Sequence, residues 1–442
     1  MSSATALRRN SDLGTALEEA RAAYAAARPR SAALHERASE VMPGGNTRSV
    51  LAYGPFPTAM ARGEDCRLWD LDGHAYLDLC GEYTAGLFGH SEPRIHKALH
   101  ATLEGGINLA AVGQGEERLA RLLCGRFPSL QRLRFTNSGT EANLMALTAA
   151  RGFTGRNTIM VMQGGYHGGV LTFPLAGPSP ATLPLPFLPT PYNDSAEATR
   201  LARAHAQDLA AIIVEPMLGG GGCIPAAPEF LATLRALADE TGAVLIFDEV
   251  MTSRMSGGGL QARLGITPDM TCLGKYIGGG MSFGAFGGRA DIMAQFESRV
   301  PHAGTFNNNV LTMAAGAVAM GEIFTAEAAE ALFQRGEALR GRLNAAGRAA
   351  GVPLGFTGLG SMMTVHFRQP LPDRPYAATP AEEGLRELFF FDMLAAGLYL
   401  ARRGMVALSL PVGEAEMDRF VAAVGEFAES RAALLRAGGV AP

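Results

Sequence analysis

The sequence predicts an α/β fold: a large domain built on a mainly parallel sheet flanked by helices, with a smaller α+β domain beside it. Two observations carry this reading. Short apolar runs recur between about residues 93 and 320, and they are continuous rather than alternating, as suits strands buried on both faces. Helical stretches such as Pro228 to Thr241 lie between them. A chain of 442 residues has enough length to bury a large core and to form more than one domain.

The elements follow in order. Residues 12–42 read as helical, rich in Ala, Glu, Arg and Leu, and stop before Pro43-Gly44-Gly45. Arg8 and Arg9 have no apolar core behind them, and Asp12, Glu18 and Glu19 follow, so the N-terminus reads as an Ala-rich helical arm. Cys66–Asp70 and Ala75–Asp78 flank Leu71-Asp72-Gly73-His74, a hairpin signal. Arg132–Phe135, Thr158–Met162, Ala211–Val214 and Ala243–Phe247 are the sheet candidates. The Pro-rich stretch 174–191 reads as a surface loop. Residues 326–350 read as one long amphipathic helix, and the remainder mixes strands and helices. The expected division is 1–92, an arm and hairpin belonging to the small domain; 93–325, the large domain; and 326–442, the C-terminal α+β part.

Composition narrows the function. Hydrophobic residues make up 48% and charged residues 18%, which describes a globular chain. A net charge of −4 gives no general attraction to nucleic acid or anionic membrane. No apolar run is long enough to span a membrane. The five cysteines, Cys66, Cys80, Cys124, Cys223 and Cys272, lack CxxC spacing. This argues against zinc or a disulfide framework, so no metal is expected, and it fits a reducing cytoplasm.

Of the 38 Lys and Arg residues only two are lysines, Lys97 and Lys275. A guanidinium stays protonated, whereas a desolvated lysine can lose its proton and act as a nucleophilic amine. Lys97 reads as a solvated helix residue. Lys275 stands among Leu273, Gly274, Tyr276 and Ile277, where apolar neighbours favour the neutral form.

Further motifs follow the predicted strands, at the carboxyl ends where open α/β sheets gather ligands. In Asn137-Ser138-Gly139-Thr140-Glu141-Ala142-Asn143, the residues Ser138, Gly139 and Thr140 make either an anion cradle or an ordinary helix cap. Asp248 ends Ile246-Phe247-Asp248, and a carboxylate behind an apolar run calls for a cationic partner such as a pyridinium. A nucleotide-hydrolase carboxylate would need a phosphate loop, but Asp269 and Tyr276 occupy the Gly and Ser/Thr positions of that pattern. Tyr166, in Gly164-Gly165-Tyr166-His167-Gly168-Gly169, could lie flat on a planar cofactor or simply pack in a turn. Thr305, in the polar turn 302–309, could reach a phosphate or cap the next helix. Phosphate cradle, aromatic face, carboxylate and lysine, in this order, describe a site for pyridoxal phosphate.

With these motifs, and with Val214-Glu215-Pro216 and Phe247-Asp248-Glu249-Val250, nearly the whole chain resembles the fold-type I, class III aminotransferases. The resemblance implies that Lys275 holds the cofactor aldehyde and Asp248 pairs with its ring nitrogen. It implies that Ser138, Gly139 and Thr140 bind its phosphate, and that Tyr166 and Val250 cover its two faces. Thr305 would serve the neighbouring subunit's phosphate, so the active unit would be a homodimer acting on small molecules. Met251, where many members carry Gln, resembles glutamate-1-semialdehyde aminomutases, as does Gly278-Gly279-Gly280-Met281, although Ser282 replaces their usual Pro. Asn46–Val50, Glu82-Tyr83-Thr84-Ala85-Gly86 and Arg402-Arg403-Gly404 instead resemble β-phenylalanine aminotransferases. A substrate site of Arg48, Tyr83 and Arg403 is therefore expected, with Arg48 clamping the substrate carboxylate. Arg403 would meet a second carboxylate and swing aside for an aromatic ring; Arg402 beside it is a competing candidate.

Overall fold

The computed structural model describes residues 12–440. Its centre is a seven-stranded sheet. In spatial order the strands are Arg132–Thr136, Gly284–Gly288, Met270–Gly274, Val244–Asp248, Leu209–Val214, Thr158–Met162 and Phe187–Thr190. Only Gly284–Gly288 runs antiparallel to its neighbours. Leu209–Val214, Val244–Asp248 and Met270–Gly274 are buried at every residue, which explains why their apolar runs do not alternate.

Gly284–Gly288 is glycine-rich because backbone crowds it from both sides. A Cβ on Gly284 would stand 2.1 Å from the Ser138 carbonyl, and one on Gly288 would stand 2.2 Å from the Asp269 carbonyl. Phe187–Thr190 corrects the loop expected at 174–191. It is an edge strand, parallel to Thr158–Met162, and the edge tolerates its Pro189.

The helix expected over 12–42 is also corrected. It divides into Leu13–Ala27 and Pro29–Ser39, because Pro29 lacks a donor and forces Arg28 out of helical angles, to φ −131°. Residues 1–11 of the expected arm lie outside the described residues. The long helix occupies Ala326–Ala349, close to expectation.

Two smaller sheets join the ends of the chain. Met60–Glu64, Arg67–Asp70 and Ala75–Asp78 form an antiparallel set, to which Leu398–Tyr399 adds in parallel. Gly355–Leu359, Met362–His366 and Met405–Ala407 form the other. The Ala407 N–H donates to the Leu79 carbonyl at 2.8 Å, which brings the second sheet against the N-terminal segment. No single helix among the described residues is long and apolar enough to cross a membrane.

Candidate active site

Five parallel strands end on one edge of the large sheet, and each hands over a polar group there. Lys275 follows Met270–Gly274, Asp248 ends its strand, and Glu215 follows Leu209–Val214. Tyr166 and His167 lie beyond Thr158–Met162, and Ser138 lies beyond Arg132–Thr136. This is where a twisted α/β sheet leaves a crevice.

Lys275 has a left-handed backbone, φ +55°, and its Nζ donates to the Tyr83 carbonyl at 2.8 Å. Tyr83 belongs to a left-handed turn in which Gly81, Glu82, Tyr83 and Thr84 all have positive φ. Non-glycine residues rarely hold such angles. Asp78 supports the turn, its Oδ1 accepting from the Cys80 and Gly81 N–H groups at 2.9 Å each. Burial brings the Lys275 ammonium down from 10.5 to about 8; the Arg403 charge helps, while Asp248 and Glu215 oppose. A neutral amine is thus available near physiological pH.

Asp248 is buried in a polar cage. Its Oδ2 accepts from Asn143 Nδ2 and His167 Nδ1, both at 2.8 Å, and its Oδ1 accepts only the Val250 N–H, at 3.0 Å. Oδ1 therefore keeps a lone pair for a cationic N–H. Glu215 accepts from the Tyr166 N–H at 2.9 Å and the Gly219 N–H at 3.0 Å. Burial pushes its carboxyl up, with Asp248 adding and His167 opposing. Asn143, His167 and Glu215 stand within the sequence motifs, but the sequence reading gave them no role. Their signal is the fold itself, which buries three polar side chains around one carboxylate.

Ser138 caps the helix Gly139–Thr154, its Oγ accepting from the Glu141 N–H at 3.2 Å. The first turn of that helix, with the Thr140 hydroxyl, has the donors an anion could use. Space there is tight: a Cβ on Gly139 would stand 2.9 Å from Val250 Cγ2, and one on Gly168 2.3 Å from Thr140 Oγ1. Tyr166 leaves half its surface exposed over the crevice. Met251 is nearly buried, and its Sδ fills the space where Gly219 lacks a side chain, 2.2 Å from an ideal Cβ. A desolvated amine, a buried carboxylate with a spare lone pair, the N-terminus of a helix and an exposed ring together fit a phosphorylated pyridine aldehyde.

Tyr83 also organises the cationic side. Arg48 and Arg403 lie over its ring, 5.4 Å and 5.2 Å from the centroid. Arg48 is half-exposed and pairs with Glu82. Arg402 turns away to Glu387, at 2.9 Å, which also takes Arg21 at 2.7 Å. The two adjacent arginines are thus separated: Arg403 faces the crevice and Arg402 does not. Thr305 lies on an exposed turn, and the cap of the following helix is Asn309, not Thr305.

A family model for class-III aminotransferases matches residues 50–411. The beta-phenylalanine transaminase of Variovorax paradoxus is 54% identical over 95% of this chain and 97% of its own length. The crystal structure of a beta-phenylalanine aminotransferase from Variovorax paradoxus superposes with a TM-score of 0.92 at 54% identity, covering 94% of this chain and 97% of that one. A transaminase solved with PLP bound superposes with a TM-score of 0.84 at 31% identity, covering 93% and 99%.

Proposed function

Since the chain belongs to the class-III aminotransferases, which depend on pyridoxal phosphate, we propose that it moves the amino group of a β-amino acid to a 2-oxo acid. Aromatic donors such as β-phenylalanine are favoured, and 2-oxoglutarate or pyruvate is the acceptor. The observation that carries the substrate class is the placement of Arg48 and Arg403 on one Tyr83 ring, beside the Lys275 amine. The Variovorax paradoxus relative supports the same class.

Lys275 would hold the cofactor aldehyde and Asp248 Oδ1 its ring N–H. Ser138, Gly139 and Thr140 would hold the phosphate, with Tyr166 on one face and Val250 and Met251 toward the other. When bound, pyridoxal phosphate supplies an electron sink for the electrons released at the amino-bearing carbon. Lys275 Nζ, in its neutral form, would take the proton from that carbon and deliver it to the cofactor side within the same half-reaction, and would run the same transfer in reverse for the acceptor. The Tyr83 carbonyl orients the amine. Asn143 and His167 keep the Asp248 carboxylate fixed and acceptor-only on the cofactor side.

A β-amino acid carries its amine one carbon further from its carboxylate than an α-amino acid does. The carboxylate clamp must therefore stand away from the reacting carbon, and Arg48, on an N-terminal loop across the Tyr83 ring, meets that need. Glu82 is its partner until a substrate carboxylate competes; such an exposed pair is weak. Arg403 would take the distal carboxylate of a dicarboxylic acceptor.

Thr305 would complete the phosphate site of a second copy, making the active unit a homodimer. Ile107, Leu109, Val112 and Phe306 are exposed apolar residues of the two segments concerned, which Asn308 ties together by donating to the Ala111 carbonyl at 3.2 Å.

Steady-state assays of β- and α-amino donors against both oxo acids test the proposal. Turnover should require a β-amino donor and an external acceptor. Conversion of glutamate-1-semialdehyde to 5-aminolevulinate without an acceptor, and no activity on any β-amino acid, would overturn it in favour of an aminomutase.

A further inference from the structure

The turn that carries Arg403 holds its backbone firmly and its side chain loosely. The Gly404 N–H donates to the Ala401 carbonyl at 2.7 Å, and the Ala401 N–H to the Met405 carbonyl at 3.1 Å. Gly404 has φ +85°, and a Cβ there would stand 2.5 Å from Val365 Cγ1, so the turn fits only glycine at this point. Met405 begins the next strand, in register with Thr364, and is buried.

The guanidinium lies over the Tyr83 ring, 5.2 Å from its centroid, but has no charged partner among the described residues. Arg48 pairs with Glu82 and Arg402 with Glu387, whereas Arg403 forms no ion pair among the described residues. Its Nη2 lies 3.2 Å from Met405 Sδ, and its Nε is buried without an acceptor. A partly buried guanidinium ordinarily takes a carboxylate, and a thioether is a weak acceptor. The surroundings are of the same soft kind: Met405 clusters with Cys80, Cys223, Met251 and Met362. Thioethers and thiols are polarizable and accommodate different neighbours at little cost.

We propose that Met405 is a positioning residue for acceptor choice: its thioether parks the Arg403 guanidinium in a weakly held position from which a second carboxylate on the acceptor draws it. A carboxylate in place of the thioether would hold Arg403 and compete with the acceptor. No acceptor at all would leave the guanidinium free to reach into the crevice and crowd an aromatic donor. The thioether lies between these extremes, which suits a pocket that takes an apolar ring and a carboxylate in alternation. This inference rests on the reading of Arg403 given under the proposed function.

Two substitutions in the full-length, cofactor-loaded protein test it. Met405→Leu keeps the volume and removes the acceptor; Met405→Gln offers a stronger acceptor. The readout is the ratio of kcat/KM for 2-oxoglutarate to that for pyruvate, with one donor throughout. The ratio should rise in Met405→Leu and fall in Met405→Gln, each by roughly two- to tenfold, the span of one modest hydrogen bond. A purely structural role would not move the two in opposite directions. A ratio unchanged in both, or shifted the same way in both, overturns the inference; should the Gln variant not fold, the Leu variant alone decides. Arg403→Ala separates the two readings. If it leaves the ratio unchanged, the reading of Arg403 fails and this inference with it. If it collapses the ratio while the Met405 variants match wild type, only the role of Met405 fails.

Discussion

The Lys275 ammonium and the Tyr83 carbonyl meet at 2.8 Å, and both residues hold left-handed backbone angles, φ +55° and +53°. Two uncommon backbone conformations converge on one hydrogen bond. Such strain persists where the surrounding structure enforces it, and here Asp78 and the end of the strand Met270–Gly274 do so.

Lys275 should titrate as an unusual lysine. In cofactor-free protein its acylation, followed by mass spectrometry of the Lys275 peptide, should show a midpoint near 8, with exposed Lys97 as an internal comparison. Folded Lys275 binds its proton less tightly than unfolded lysine. Between about 8 and 10.5 the unfolded chain therefore holds more protons, and this contribution to stability rises with pH there and is flat below. A midpoint at the ordinary lysine value would refute the desolvation argument. Lys275→Ala should abolish transamination, and Lys275→Arg should fare little better, because Arg stays protonated.

Asp248→Asn should keep the fold and lower turnover by orders of magnitude. The amide cannot stabilise a protonated ring nitrogen, and Asn143 and His167 lose their charged acceptor. Unchanged rate and cofactor affinity would show that the carboxylate faces something else.

Arg48→Ala should damage catalysis with every carboxylated donor. Arg403→Ala should harm 2-oxoglutarate far more than pyruvate, by about 1.5–3 kcal/mol in apparent transition-state binding, the worth of a contact to a charged group. Arg402→Ala should leave that preference alone, since Arg402 is held by Glu387. Acceptor profiles of the three variants decide this.

Gly219→Ala should disturb the site although it adds one methyl group. That methyl would overlap Met251 Sδ. Lower cofactor affinity is expected, with recovery in the Gly219→Ala, Met251→Ala double variant. Equal affinity in the single variant would mean that Met251 moves aside freely.

Dilution of the loaded protein to monomers should release cofactor and activity together, if Thr305 serves a second copy. Light scattering that shows an active, loaded monomer would contradict this.

The buried strands were legible because continuous apolar runs have few other uses in a globular chain. Gly284–Gly288 was not, since glycine has low strand propensity and its reason for being there is the backbone of Ser138 and Asp269. Phe187–Thr190 was hidden by its proline, which only an edge position excuses. In the candidate site, Lys275 stands out as one of two lysines and Asp248 as a carboxylate closing an apolar run. Asn143, His167 and Glu215 could not be singled out, because their neighbour is Asp248 in space and not in sequence. Arg402 and Arg403 are adjacent in sequence; only the turn at Gly404 and the position of Glu387 tell them apart.

The strand Ala75–Asp78 finds its outer partner in Leu398–Tyr399, near the other end of the chain. During synthesis the hairpin therefore leaves the ribosome with an unpaired edge, and it keeps that edge until nearly the whole chain has emerged. An open strand edge is a template for other chains. Nascent protein stalled before Leu398 should thus depend on chaperone cover that the finished protein does not need.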